Sequence, residues 1–230
     1  MATFLELCQD AARESSTIAG VAPTSVVGQE GRLAKFVYWV QQAWVKIQRS
    51  KRDWLWMQGE FSVTLIAGTA RYSATGFSLT RWSRWVLSFD KVWLYDPDIG
   101  VSDEAALKPM DWNVYLAIYE RGSQSELTDR PIHYAISPTG EICFGPKPDK
   151  AYPVRGPYRK NAQRLAANSD VPEMPEDFHE AIWQYALILM SEHDEGELHI
   201  AVNNRRYADV MQDLRFDQLP AVGIGAGPLA

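Results

Sequence analysis

Residues 179–199, HEAIWQYALILMSEHDEGELH, gather the side chains that are best suited to bind a metal ion. The segment holds three of the chain's four histidines and five acidic residues. Histidine nitrogens and carboxylate oxygens are ligands of hydrolytic zinc sites. In a helix, however, His179 and His193 would lie about 21 Å apart along the axis, because each residue adds about 1.5 Å. These two histidines therefore cannot share an ion.

Only the end of this segment keeps a spacing that a metal could use. His193 precedes Glu197 by four residues, and Glu195 precedes His199 by the same interval. Gly196 interrupts the helical run, and no third rigid ligand is evident. The apolar side chains before it follow helical spacing and comprise Phe178, Ile182, Tyr185, Ala186 and Leu189. We therefore predict an amphipathic helix that ends in a charged turn, without a metal site.

A cysteine nucleophile is the second chemical possibility. Cys143 and His133 could lie on adjacent strands, which would bring a thiol close to a base. No third group that would orient the histidine is evident, and the motif G-x-S-x-G is absent. The phosphate-binding motif G-x-x-x-x-G-K-[ST] is also absent. We predict that Cys8 and Cys143 are buried thiols, and a small metal- or cysteine-dependent hydrolase remains an alternative.

Basic and aromatic side chains are interleaved between residues 147 and 164, a pattern that can bind nucleic acid. The set comprises Lys147, Lys150, Tyr152, Arg155, Tyr158, Arg159, Lys160 and Arg164. The whole chain is acidic, with a net charge of -6 and a pI near 5.3, whereas proteins that bind nucleic acid non-specifically are usually basic. A solvated edge of a β-rich region is the simpler interpretation. A nucleic-acid-binding accessory protein remains an alternative.

Charge is also distributed unevenly along the chain. Residues 165–204 hold nine acidic residues and no lysine or arginine. A basic face and an acidic face on one subunit would match each other between neighbouring copies of a head-to-tail ring. Contact between subunits is therefore a third interpretation of the basic strip.

The candidate residues lie on two kinds of predicted structure, helices and β-strands. Thr3 and Glu6 form a capping box for an N-terminal helix, and helical spacing from about Glu30 predicts a second helix with a basic end. Alternating, β-branched runs after Trp56 predict strands. Pro175 and the acids that follow it predict the start of a C-terminal helix pair.

Three stretches of the β-rich part have distinct signatures. PIHYAISPTGEICFGPKPD predicts a hairpin with its turn at residues 138–140. AYPVRGPYRK predicts an edge strand, because prolines cannot donate to a neighbouring strand. LKPMDWNVYLAIYERG predicts a short helix, with Pro109 at its first position and Gly122 after its end.

The expected fold class is therefore α+β. Residues 1–56 and 165–217 form a helical bundle, and residues 57–164 form an inserted β-rich region with one short helix. Residues 218–230 are rich in glycine, alanine and proline, which predicts a flexible tail. No apolar run approaches the ~20 residues that a membrane-spanning helix needs.

Several stretches, taken in order, resemble one known family. They are FLELCQDAARES, SVVGQEGRLAKFVYWVQQAWVKIQ, LKPMDWNVYLAIYERG, YAISPTGEICFGPKPDKAYPVRGPYRKNAQRL, PEMPEDFHEAIWQYALILMSEHDE and YADVMQDLRFDQLP. From Phe4 to about Pro220, the chain resembles the head-to-tail adaptors of tailed bacteriophages, which are also called connector, neck or head-completion proteins.

The resemblance implies a structural virion protein with no catalytic residues, no cofactor and no metal. Such adaptors form a homo-oligomeric ring, commonly a dodecamer, beneath the portal protein. The ring extends the channel for packaged DNA and offers the attachment site for tail, nozzle or fibre proteins. The implied location is the neck of the virion, and the host cytoplasm before assembly.

Two sets of residues follow as candidate interaction sites. The tail could become ordered on binding the portal, through Gln218, Leu219, Pro220, Ala221, Val222 and Ile224. Charged residues could face a neighbouring subunit or the DNA, and these are Glu192, Asp194, Glu195, Glu197, Arg155, Arg159 and Lys160. The aromatic-rich β region is the candidate for tail or fibre attachment.

Overall fold

The computed structural model describes residues 1–15, 22–86, 91–122, 124–194 and 200–219, without the side chains of residues 193, 194 and 200–203. The chain forms two compact units. The first unit consists of Met1–Met57 and the chain from Ala162 onward, and the second is Gln58–Asn161. The first unit is helical and the second contains two β-sheets, so the predicted α+β class is confirmed.

The first unit begins with two helices, α1 (Phe4–Glu14) and α2 (Gly31–Ser50). The capping box that starts α1 is confirmed: the Glu6 amide donates to Thr3 Oγ1 at 3.3 Å, and the Thr3 amide donates to Glu6 Oε2 at 2.7 Å. Apolar side chains recur at helical spacing along α2, so one face of this helix packs against the core. The buried residues of α2 include Phe36, Val40, Ala43, Trp44 and Ile47.

The returning chain closes the first unit by binding to α2 through two glutamines. Gln48 is buried and makes two hydrogen bonds with the backbone of Gln163: its Nε2 donates to the carbonyl oxygen at 3.0 Å, and its Oε1 accepts from the amide at 2.7 Å. Gln41 Nε2 donates to the carbonyl oxygen of Leu165 at 2.8 Å. Backbone groups of an irregular segment are thereby satisfied inside the unit.

Two further helices, α4 (Glu180–Asp194) and α5 (Ile200–Gln218), complete the bundle. Helix α4 packs against α1, α2 and α5, and it is buried around its whole circumference. The buried residues of α4 are Ala181, Ile182, Gln184, Ala186, Leu187, Ile188, Leu189 and Met190. The prediction of a single apolar face for this helix is therefore wrong, because a helix enclosed by three others needs apolar side chains on every side.

The first sheet of the second unit is built around one strand, β9 (Pro153–Lys160). Its other strands are β1 (Gln58–Thr64), β3 (Trp82–Trp85), β4 (Trp93–Leu94) and β5 (Ala105–Ala106). Strand β1 pairs with β9 along one side, while β3 and β4 pair with it on the other side, and β5 pairs with β4.

The prediction that residues 151–160 form an edge strand is wrong, since β9 has neighbours on both sides. Its prolines are tolerated for local reasons. Pro153 is the first residue of the strand, where a missing N–H costs little. Pro157 lies between the residues that pair with β4, which end at Arg155, and those that pair with β3, which begin at Tyr158. Among the described residues, the proline therefore faces the interval between β3 and β4, and no described strand pairs with it on that side.

The second sheet contains β2 (Arg71–Tyr72), β8 (Ile142–Gly145), β7 (His133–Ile136) and β6 (Lys108–Pro109) in that order. Strands β7 and β8 are antiparallel neighbours, so the predicted hairpin is confirmed. Gly140 in its turn has φ +83°, a conformation that favours glycine.

A short helix, α3 (Trp112–Tyr115), continues into a π-helical turn at Leu116–Glu120. It begins with Asp111, whose side chain accepts a hydrogen bond from the Asn113 amide at 2.8 Å. The prediction that Pro109 opens this helix is therefore wrong, because Pro109 belongs to β6, which pairs in parallel with β7.

Candidate functional site

The cysteine and histidine that could form a nucleophilic pair do lie on neighbouring strands. Cys143 of β8 is fully buried, and burial raises the pKa of its thiol to about 12. The Nδ1 atom of His133 on β7 lies 2.9 Å from the hydroxyl oxygen of Tyr119. Burial, with a smaller contribution from Lys108, lowers the pKa of His133. A thiol that stays protonated at neutral pH is a poor nucleophile, so this geometry favours packing over catalysis.

The histidine segment assembles no metal site within the part of the chain that the structure describes. His179 is buried ahead of α4, and its Nε2 lies 2.9 Å from the carbonyl oxygen of Met174. No group of three or more histidine, cysteine or acidic side chains that could hold an ion occurs among the described residues. The side chain of His193 and residues 195–199, which include Glu195, Glu197 and His199, lie outside that description.

Three cations of the basic strip at residues 147–164 form ion pairs with acids of their own unit, while Arg164 is exposed. Lys147 Nζ lies 3.8 Å from Glu126 Oε2. Lys150 Nζ lies 2.6 Å from Asp96 Oδ2, and Arg155 forms an ion pair with Glu104. These contacts join residues that are distant in sequence.

The aromatic side chains of the strip are not available for stacking. Tyr152 is 3% exposed and Tyr158 is 5% exposed, and both belong to the core of the second unit. Arg159 is 7% exposed, and Lys160 at the end of β9 is half-buried. Bases stack on exposed rings, so this arrangement does not favour nucleic-acid binding.

The contacts of the strip instead join four loops into one structure, which we call the loop end. It comprises residues 65–70, 95–104, 124–132 and 146–152. The amide of Gly68 donates to the carbonyl oxygen of Pro148 at 2.7 Å, and the amide of Asp129 donates to that of Lys147 at 2.9 Å. Lys150 binds the second loop through Asp96 and Asp98. The fourth segment is therefore the centre to which the other three are attached.

One further ion pair joins two of the outer loops directly. Arg130 Nη1 lies 2.8 Å from Asp103 Oδ2, and Arg130 Nη2 donates to the carbonyl oxygen of Asp103 at 3.0 Å. The Asp96 amide donates to Asp103 Oδ2 at 3.0 Å, which fixes the bend of this loop. Loops fixed in this way present a preformed surface.

The loop end also exposes large apolar side chains to solvent. They are Ile66, Ile99, Val101, Leu127 and Ile132, each between 42% and 63% exposed. The same loops hold seven acidic residues and three basic ones. An acidic, partly apolar and preformed surface is suited to bind a protein.

Acid is expected to weaken the loop end. The hydrogen bond from Lys150 lowers the pKa of Asp96, and that from Arg130 lowers the pKa of Asp103. Because these folded-state pKa values lie below the unfolded ones, the stabilisation is present above about pH 4. It is lost as the pH falls through the lowered values.

We therefore expect Lys150→Met to lower the free energy of unfolding at pH 6 and to have little effect at the lowest pH where the protein stays folded. Urea titrations followed by circular dichroism at both pH values measure this difference. Lys91→Met, at an exposed lysine of the same unit, is the control and should match the native chain throughout. An equal loss of stability at both pH values would contradict the assigned ion pair.

The C-terminal candidate site is described only at its beginning. Gln218 is the last residue of α5, and its Nε2 donates to Asp217 Oδ2 at 2.8 Å. Leu219 packs against the helical core, and its amide donates to the carbonyl oxygen of Arg215 at 3.1 Å. The other predicted residues lie outside the described residues, namely Pro220, Ala221, Val222 and Ile224.

Two of the acids predicted to face a subunit or the DNA, Glu192 and Asp194, belong to the end of α4. Glu192 is exposed, and α4 ends at Asp194, whose side chain lies outside the description. The body of α4 is enclosed by the bundle, and its exposed acids Glu180 and Glu192 lie at its two ends. Helix α5 is much more exposed than α4. Its side chains Asp209 and Asp213 lie at the surface, and Phe216 is 79% exposed.

The described residues form a helical bundle and an inserted β unit whose loops are joined into a preformed surface. No helix in the described residues is long and apolar enough to cross a membrane. The family model described as SU10 adaptor protein matches residues 2–224. The chain therefore belongs to this family of phage head-to-tail adaptors, as the resemblance predicted. No curated protein matches the sequence.

Proposed function

We propose that this chain is the subunit of a ring that connects the portal protein of the phage head to the tail. The observation that carries the proposal is the family match over residues 2–224, which spans both units. Family membership implies a structural role in the virion. The finer assignments are part of the proposal: a homo-oligomeric ring, commonly a dodecamer, at the neck of the virion, through which packaged DNA passes. The subunit is present in the host cytoplasm before assembly.

In this proposal the chain uses neither catalysis nor a cofactor. The buried Cys143 thiol, the core histidine His179 and the paired lysines of the basic strip support that assignment. Each of these groups already has a structural role within the fold. The chain is therefore expected to act through surfaces that bind other proteins.

The first surface of the proposal is the C-terminal segment, which binds the portal. Leu219 supports this assignment, because it attaches the end of α5 to the bundle immediately before the segment. The candidate residues remain Gln218, Leu219, Pro220, Ala221, Val222 and Ile224. Segments rich in glycine and small apolar residues can become ordered when they bind.

The second surface consists of the acids that face the DNA or a neighbouring subunit. Glu192 supports this role, because it is exposed at the end of an otherwise buried helix. Negative charge along a channel repels DNA and prevents it from adhering. Asp194, Glu195 and Glu197 follow Glu192 in sequence and share the assignment. Arg155, Arg159 and Lys160 remain candidates for contact with a neighbouring subunit or the DNA, and the second unit remains the candidate for attachment of tail, nozzle or fibre proteins.

Electron microscopy of the purified chain mixed with the portal ring of its phage tests the proposal. We expect a second ring of density, coaxial with the portal, that is absent from portal alone. A portal ring that gains no density at saturating concentrations of the chain would refute the portal-binding role. Sedimentation of the same mixture supplies an independent measurement of the bound mass.

A further inference from the structure

Two exposed surfaces of the chain, one in each unit, have opposite charge. One is the loop end, with seven acidic and three basic residues. The other is the basic segment, residues 46–55 (KIQRSKRDWL), with four basic residues and one acidic residue. We propose that the loop end of one copy binds the basic segment of a second copy. This inference rests on the proposed function, because the proposed ring is the assembly that such contacts would build.

The loop end has the features of a protein-binding surface rather than of a solvated turn. Its four loops are joined by backbone hydrogen bonds and by the ion pairs of Lys150 and Arg130. Because the surface is already ordered, little conformational entropy is lost when it binds. Two of its acidic side chains are strongly exposed: that of Asp98 is 78% exposed, and that of Glu126 is 92% exposed.

Its apolar side chains call for a partner that covers them. Ile66 and Ile99 are 63% and 62% exposed, and both flank the central segment of the loop end. Isolated surface hydrophobics need no explanation, but several on one connected set of loops indicate an interaction site. The partner should therefore offer apolar surface together with positive charge.

The basic segment supplies both properties. Helix α2 contains no acidic residue and ends at Ser50, so its last turn and the residues that follow carry the positive charge. Arg49 and Arg52 are exposed, and Leu55 just beyond them is 46% exposed. Positive charge beside an apolar side chain is complementary to the loop end in both respects.

Contact between two different surfaces has a geometric consequence. Each copy carries one loop end and one basic segment, so each copy can bind one neighbour on either side. Such heterologous contacts produce a ring when the rotation closes, and an open filament when it does not. The proposed contact is therefore of the kind that a cyclic assembly requires.

Charge reversal on each surface tests the contact. The loop-end variant carries Asp98→Lys and Glu126→Lys, and the basic-segment variant carries Arg49→Glu and Arg52→Glu. We expect each variant alone to weaken self-association at least about tenfold, because like charges then meet at the substituted positions and the net attraction is lost: the loop end changes from a net charge of -4 to 0, and the basic segment from +3 to -1. Sedimentation velocity measures self-association, both free and on the portal ring, and circular dichroism verifies that each variant is folded.

An equimolar mixture of the two variants gives the sharpest result. In alternating order, reversed loop ends meet reversed basic segments, while the native surfaces meet each other. We therefore expect the mixture to recover self-association, as should one chain that carries all four substitutions. Recovery in the combined chain alone would show a contact within one copy and would overturn the proposal.

A matched control separates this contact from a general effect of charge. Asp177→Lys with Glu180→Lys reverses two exposed acids of the first unit and should leave self-association unchanged. Carbodiimide cross-linking of native protein, mixed with a nitrogen-15-labelled copy, should join Asp98 or Glu126 to Lys46 or Lys51 between copies. Links from Asp177 or Glu180 to these lysines instead would overturn the assignment of the acidic surface.

The remaining outcomes distinguish this inference from the proposed function. If the native chain binds the portal and neither charge-reversal variant changes self-association, the proposed contact is refuted and the adaptor role stands. If self-association of the chain depends on these charges but the native chain does not bind the portal, only the adaptor role is refuted. A native chain that does not self-associate, either free or on the portal, overturns the inference. Loss of duplex DNA binding as the only effect of reversing Arg49 and Arg52 would identify a DNA site instead.

Discussion

Replacement of Leu187 by alanine is expected to lower the free energy of unfolding of the helical unit by about 2–5 kcal/mol. Leu187 is 3% exposed and belongs to the core of this unit. The substitution removes buried methyl groups and leaves a cavity that the neighbouring helices can fill only in part. Denaturant titration followed by circular dichroism measures the loss.

The size of this effect decides between two interpretations of α4. An amphipathic helix with Ile182 and Leu189 on its buried face would place Leu187 toward solvent, where alanine costs at most about 0.5 kcal/mol. Glu192→Ala, at an exposed position of the same helix, is the control and should fall within that range. A Leu187→Ala variant as stable as this control would contradict the position of α4 inside the bundle.

Helix α4 also shows why the sequence segment that invites a metal hypothesis is structural. Its histidine at the start, His179, is buried and bound to a backbone carbonyl, and its middle is apolar on every side. Sequence periodicity identified the side that contains Ile182 and Leu189. It missed the opposite side, which contains the buried residues Gln184 and Leu187. Whether such a face is exposed depends on how many other helices surround it, and periodicity carries no such information.

Features determined by neighbouring residues were predictable from the sequence. The capping box of Thr3 and Glu6 requires contacts within one turn, and the β7–β8 hairpin requires a local turn with glycine at position 140. Strand β9 was misassigned to an edge because its prolines were judged alone. Their tolerance depends on β3 and β4, which leave a gap opposite Pro157. Pairing between distant strands determines that gap, and local sequence does not.

The contacts of the charged residues were also not predictable from local sequence, because their partners are distant in the chain. Lys150 and Arg155 looked like an open basic strip, since the acids that bind them lie about fifty residues earlier in the sequence. Those ion pairs consume the positive charge and, in doing so, fix the loops that carry exposed apolar side chains. The loop end could not be predicted from the sequence, because four separate segments form it and none has a signature of its own.

One exposed concentration of positive charge lies at the end of α2, and a surplus of negative charge lies in the loop end. The sequence also suggested complementary faces between subunits, formed by residues 147–164 and residues 165–204, and that pairing stays a prediction. Arg49 and Arg52 were assigned only to helix termination, in keeping with their position in and after the last turn. Their exposure next to Leu55 adds a second role that the helix itself does not require.

Deletion of residues 220–230 is expected to weaken binding to the portal ring by at least about a hundredfold, which corresponds to about 2.7 kcal/mol. The deletion keeps Gln218 and Leu219, so the packing of α5 on the helical core is retained. The free energy of unfolding should therefore stay within about 0.5 kcal/mol of the native value. Sedimentation of the variant with portal rings measures binding, and urea titration measures stability.

Two further variants identify what the deletion removes. A chain whose residues 220–230 keep their composition in shuffled order tests whether portal binding depends on sequence, and it should bind as weakly as the deletion. Removal of residues 218–230 should give the same loss of binding with an added loss of stability, because Leu219 leaves the core. Portal binding that survives both the deletion and the shuffle would place the docking site on the folded units, where exposed Phe216 at the end of α5 is the next candidate.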